Sequence, residues 1–213
     1  MTRTEMLARC RTLLDEATAA FWTDAEVYSA LADAQQAVAN YFLSIHKIEL
    51  LSNPKAPIPQ PLESLYTVDT NTTATGLVSI PADYWHLLAA SFAYTGGLAG
   101  TFYVCRIYKL GETMFRDVNN SFFAGTTTDP IVYEVYSSGR KFYFLPAVSG
   151  TGGYALNYLK IPTAISSSVD PTLPVQTHNA IVFYAVAQML FKDQRPQEAQ
   201  LQLQNAFNEL RGI

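Results

Sequence analysis

The sequence predicts an α+β protein: a helical bundle from the N- and C-terminal helices with an inserted antiparallel β lobe. Apolar residues recur at helical spacing near both ends of the chain, and the periodicity changes to two between residues 62 and 161. A proline-rich stretch marks the first crossing between the two regimes. The expected segments are 1–52 for the N-terminal helical part, 62–161 for the β lobe and 174–213 for the C-terminal helices that complete the bundle. A chain of 213 residues is long enough to bury a core of useful size.

Residues 4–16 read as a first helix, with Met6, Leu7, Cys10, Leu13 and Leu14 on one side. Arg3, Arg9, Arg11 and Asp15 fall on the other, so the three arginines read as an exposed helix face. Residues 17–21 make a link short enough to fold this helix back on the next as a hairpin. The second helix, from Trp22 to about His46, is the organising element. Thr23 and Glu26 have the spacing of a capping box, in which each side chain satisfies an amide that the first turn leaves unpaired. Val27, Leu31, Ala34, Val38, Phe42 and Ile45 then share one face, with Asp24, Asp33, Gln36 and Asn40 elsewhere. Residues 53–61, NPKAPIPQP, place four prolines in nine positions, which removes amide donors and enforces extended backbone. Such a stretch serves either as a stiff crossover into the sheet or as an arm against a neighbouring subunit.

In the middle region, residues 65–68 and 77–80 flank a Thr/Asn/Gly-rich turn, and 131–136 and 140–145 flank Ser137-Ser138-Gly139. Both pairs read as β-hairpins. Residues 154–160 supply another strand, 84–94 and 102–108 two weaker ones around Thr95-Gly96-Gly97, and 111–118 a short helix. The expectation is five to seven mostly antiparallel strands. Residues 162–174, rich in Ser, Thr and Pro, form a loop. Residues 178–191, with Ile181, Val182, Ala185, Val186, Met189 and Leu190, make a buried helix facing the long N-terminal one. Pro196 opens the last helix where its missing N–H does no harm, and Ala199, Leu203, Ala206, Phe207 and Leu210 form its apolar stripe.

Composition narrows the function. Charged residues make up 15% of the chain and hydrophobic ones 49%, with 13 Tyr and 12 Phe, a mix that suits surfaces covered by other subunits. A net charge of -4 argues against a protein that grips phosphate backbones, which requires clustered Lys and Arg. Cys10 and Cys105 cannot build a disulfide framework, which fits a reduced compartment. The start Met-Thr-Arg-Thr-Glu lacks the apolar region of a signal peptide, and no run approaches the ~20 apolar residues of a spanning helix, so the protein is expected to be soluble when made, with no membrane partner.

No catalytic, cofactor or metal site is expected. His46, His86 and His178 lie on different elements without a second ligand at metal spacing, and they read as structural histidines. Gly96-Gly97 and 150–153 lack the Lys-bearing helix start of a phosphate cradle and read as turns between strands. Asp83 and Glu134 could do acid–base work only if the fold brought them together, and Asp83 is simply explained as a turn residue after Ile80-Pro81-Ala82. Tyr66, Trp85, Tyr133 and Tyr143 could line a carbohydrate or ligand groove, or could fill a half-buried sheet.

The order of short motifs resembles the head-to-tail connector (adaptor or ring) proteins of tailed bacteriophages. The likeness rests on Trp22-Thr23-Asp24-Ala25-Glu26-Val27 with Leu31 and Ala34-Gln35, on Ile80-Pro81-Ala82-Asp83-Tyr84, and on Tyr143-Phe144-Leu145-Pro146. It continues in Leu156-x-Tyr158 with Pro162, in Leu173-Pro174, and in His178-Asn179-Ala180-Ile181-Val182-x-Tyr184-Ala185. The Gly/Thr-rich segments 70–76, 95–101 and 149–153 match no motif of that family. The resemblance implies a structural virion protein of the phage neck, assembled in the host cytoplasm as a homo-oligomeric ring, commonly of twelve copies, on the portal protein. It further implies that residues 196–213 dock on the portal, that the next neck or tail component binds below, and that DNA passes through the channel without specific binding. A stopper or tail-completion protein of the same channel is the nearest alternative, and a carbohydrate- or ligand-binding β module a more distant one.

Overall fold

A computed structural model describes residues 1–16, 21–52, 57–108, 126–135 and 140–213. It bears out the α+β class, with helices at both ends of the chain flanking the strands. Two compact units result: Met1–Leu65 with Ile161–Ile213, and Tyr66–Lys160.

The first unit is helical. Helix α1 (Arg3–Leu13) starts on a capping box in which Thr2 and Glu5 satisfy each other's amides. It ends where Asp15 takes φ +57°, so that Glu16 N–H reaches Arg11 C=O at 2.9 Å and Asp15 N–H reaches Thr12 C=O at 3.3 Å. Helix α2 (Asp24–Ser52) begins as its sequence predicts: Thr23 N–H donates to Glu26 Oε2 at 2.9 Å and Glu26 N–H to Thr23 Oγ1 at 3.3 Å. It runs six residues beyond His46. Val27, Leu31, Ala34, Val38 and Phe42 are buried as expected, whereas Ile45 is 54% exposed. A short helix, α3 (Gln60–Glu63), closes the proline-rich stretch, and Leu62 within it and Leu65 just after it are fully buried. Helix α4 (His178–Lys192) is packed along most of its length, antiparallel to α5 (Pro196–Arg211), which has Pro196 in its first turn. The turn between them repeats the ending of α1, with Gln194 at φ +57° and Arg195 N–H on Leu190 C=O at 2.9 Å.

Three arginines expected on a solvated face are instead ties between segments. Arg3 pairs with Asp170 at 3.1 Å and donates to Ser167 C=O, and Arg9 donates to Asn179 at 2.8 Å and lies over the Phe183 ring. Arg11 is buried, with Glu16, Trp22 C=O and Asp24 as its acceptors. Glu16 also accepts from the amides of Phe21 and Trp22, so one carboxylate and one guanidinium bracket the α1–α2 link.

Among the described residues the second unit is a pair of four-stranded sheets. One runs in the order β1-β8-β3-β4 and the other β2-β7-β6-β5, with β1 (Tyr66–Thr73), β2 (Leu77–Ser79), β3 (Tyr84–Ala93), β4 (Tyr103–Val104), β5 (Arg106–Tyr108), β6 (Ile131–Val135), β7 (Lys141–Leu145) and β8 (Gly152–Lys160). Phe92 of the first sheet stacks on Phe144 of the second at 5.0 Å between ring centres, and Val132, Phe142 and Leu156 share that core.

The expected hairpin of 131–136 with 140–145 forms as β6 and β7, in register from Ile131 opposite Leu145 to Val135 opposite Lys141. Its turn, 136–139, and the expected helix at 111–118 lie outside the described residues. The other expected hairpin does not form: β1 pairs with β8 and β2 with β7, so the chain changes sheets at 73–77. There Thr73 Oγ1 accepts from Gly76 N–H at 3.1 Å, and Gly76 C=O accepts from Phe144 N–H at 2.9 Å. Residues 102–108 likewise split at buried Cys105, whose amide bonds Ala90 C=O while that of Arg106 bonds Pro130 C=O. Beyond this crossing β5 pairs with β6 in parallel. Alternating hydrophobicity can mark a strand but does not say which strand pairs with which.

One buried side chain ties the first unit together. Gln35 is fully buried on α2; its amide donates to Thr163 C=O at 2.8 Å and its oxygen accepts from Thr172 N–H at 2.7 Å and from Leu173 N–H at 3.4 Å. Replacing it with a similar-sized apolar residue strands these loop groups without partners. Gln35→Leu is expected to lower unfolding free energy by roughly 2–4 kcal/mol, read from the urea midpoint at unchanged m value; a parental midpoint would show that the loop is held by other means.

Candidate functional site

The residues weighed as catalytic candidates have structural partners. Asp83 accepts from Tyr158 Oη at 3.0 Å, and Glu134 pairs with Arg140, whose guanidinium lies 5.7 Å from the centre of the Tyr84 ring. His46 faces Glu49 at 3.9 Å across one turn. Tyr133 is buried in edge contact with Tyr143 at 5.3 Å, whereas Tyr66 belongs to the other sheet. The glycine clusters pack against each other: a Cβ on Gly153 would lie 2.3 Å from Gly97 O, and Gly97 itself has φ +56°. That close approach of two backbones is what glycine provides there. Among the described residues no group of three or more His, Cys, Asp or Glu is placed to hold a metal ion. Burial pushes the Cys10 thiol up to about 12 and raises that of Cys105, so both stay protonated.

His178 is buried at the start of α4. Nε2 lies 2.9 Å from Leu173 C=O and Nδ1 2.9 Å from the Met1 amine, an arrangement that suits a neutral ring with its proton on Nε2. Burial is the largest influence and lowers its pKa, partly opposed by the Leu173 carbonyl.

The open surface lies on α2 and α5. No Asp, Glu, Lys or Arg occurs from Ala34 to Ile45 or from Ala199 to Asn208. Buried Ala34, Val38, Ala206 and Leu210 face the core, while Ile45, Leu201 and Phe207 are 54%, 57% and 43% exposed. The expectation that Phe207 lies in a buried stripe is thus corrected. The stripe is Ala199, Ala206 and Leu210, and Phe207 stands at its margin, 6.2 Å from the Tyr41 ring. A groove of about 310 Å³ runs between the helices, lined by Ala37, Tyr41, Ser44, Tyr184, Phe207 and Leu210. A helix face that stays in water normally carries Lys and Glu, and this one offers Gln, Asn, Leu and Phe. Such chemistry suits a face that another protein covers.

A family model described as SU10 adaptor protein matches residues 1–213. The chain belongs to the SU10 adaptor protein family. It is accordingly a structural adaptor of a bacteriophage virion, in a family typically without enzymatic activity, and it associates with other phage head and tail components. No individual curated protein matches the chain. No described helix of this adaptor is long and apolar enough to cross a membrane.

Two of the sequence motifs meet their partners inside this adaptor. Gln35 of Ala34-Gln35 bonds Leu173 of Leu173-Pro174, which bonds His178; Asp83-Tyr84 contacts Tyr158 through a hydrogen bond and a ring contact at 5.7 Å. They clamp segments of the fold. Because the folded His178 pKa lies below the unfolded value of 6.5, the unfolded chain takes up its proton first on acidification. Stability from this group is therefore full above pH 6.5 and is lost as pH falls through the folded pKa. An NMR titration of the ring protons is expected to give a midpoint below 6.5, with melting temperature starting to fall below that pH; a midpoint at or above 6.5 would contradict the buried neutral ring.

Proposed function

We propose that the chain is the head-to-tail adaptor of a phage neck, assembling as a ring on the portal protein through α5 and lining part of the channel through which DNA leaves the head. The observation that carries this reading is the charge-free, partly apolar stretch Ala199–Asn208 of α5 beside the Tyr41–Phe207 groove, on a chain whose full length matches a phage adaptor family. Ring closure needs each copy to offer one patch to a complementary patch on the next, and low surface charge favours such burial. A mildly acidic chain also does not hold DNA against its passage.

Co-expression with the portal protein of the same phage, followed by negative-stain imaging, is expected to show an added ring of density on the portal; a bare portal would overturn the proposal. Phe207→Asp separates docking from folding. Phe207 is nearly half exposed, so the variant is expected to stay within about 1 kcal/mol of parental stability while losing the added density. A variant that docks unchanged would remove α5 from the portal contact.

A further inference from the structure

Among the described residues, strand β1 carries an open edge. On one side it pairs with β8 in unbroken register, from Tyr66 opposite Leu159 to Thr73 opposite Gly152; on the other no described strand joins it. Among the described residues the remaining sheet edges are short: β4 has two residues, and β2 and β5 three each, against eight in β1. Proteins usually blunt a long edge with Pro, Lys or a bulge, and the sequence YTVDTNTT has none of these. The Thr72 amide bonds the side chain of its neighbour Asn71 at 2.8 Å, so it points away from β8. Residues two apart share that direction, which leaves the backbone groups of Tyr66, Val68 and Thr70 facing outward as well. The side chains of Tyr66 and Val68 are 39% and 49% exposed.

We infer that this edge takes up an extended segment of a different virion protein as an added strand, with a Lys or Arg of that segment near Asp69, the strand's one charged residue. Outward N–H and C=O groups in strand spacing are matched by another extended backbone and not by a helix. A second copy of the chain is a poor occupant, because its other described edges are two or three residues long. Self-pairing of β1 that uses all four outward residues sets Tyr66 opposite Thr72 and Val68 opposite Thr70. It thereby places Asp69 directly against Asp69, a like-charge pair that destabilises the ladder. The inference rests on membership of the adaptor family and not on docking to the portal.

Hydrogen exchange of peptides spanning 66–73, on the free chain and on neck complexes purified from virions, tests it. The Val68 and Thr70 amides are expected to exchange freely in the free chain and at least about tenfold more slowly in the complex. Equal rates in the two, or slowing in concentrated free chain alone, would overturn the inference, the latter because a second copy then fills the edge. Thr70→Pro removes one outward N–H and spares the bonds to β8. It is expected to keep the parental melting temperature and to yield complexes lacking one component by native mass; a full complement would overturn the inference. Val68→Lys, which blunts the edge without a backbone change, gives the same reading should the proline variant misfold. Whether a ring sits on the portal is scored separately in images of the same complexes, so the two proposals fail independently.

Discussion

A single buried amide, that of Gln35, decides how the helical unit closes. A bundle built from both ends of a chain must bring together segments separated by the whole β insert, and the entropy of closing so long a loop opposes that. Gln35 meets the cost at its most exacting point: the 162–174 loop arrives with backbone groups that have no strand or helix to bond them, and the fully buried amide satisfies three of them. His178 then fixes the far end of the same loop through Leu173 C=O, at the place where α4 begins. Without these contacts α4 would lack a defined starting position against α2.

Charge is used sparingly, and in the helical unit part of it ties segments together. Arg3, Arg9 and Arg11 each reach another segment, and Arg11 with Glu16 and Asp24 holds the connection between α1 and α2. The stretches Ala34–Ile45 of α2 and Ala199–Asn208 of α5 are left without charge. A stretch of exposed helix surface made of amides and apolar side chains departs from the usual charged exterior of a solitary soluble protein. It suits an adaptor whose neighbours complete its surface.

Much of the fold was legible because its signals are local. The Thr23–Glu26 box, the start of α5 at Pro196, the β6–β7 hairpin and the apolar run of α4 all depend on residues within a few positions of each other. The first β pair was misassigned because pairing is a long-range property: 65–68 and 77–80 alternate as hairpin strands do, yet Thr73 and Gly76 steer the chain across to the second sheet. Arg11 and Phe207 were misplaced for a related reason. Helical spacing gives the face a residue occupies, but not that Glu16 and Asp24 wait beneath Arg11, or that the packed stripe of α5 passes just beside Phe207. The motifs that carry the family likeness were visible as short strings, and their mutual contacts became visible only in three dimensions.

The account stands on the claim that the uncharged α2–α5 face is made to be covered. Hydroxyl-radical footprinting of Tyr41 and Phe207, compared between the free chain and intact virions, tests it most directly. Modification of both rings is expected in the free chain and strong protection in the virion; equal modification in the two would show that the face stays in water and that its lack of charge has another origin.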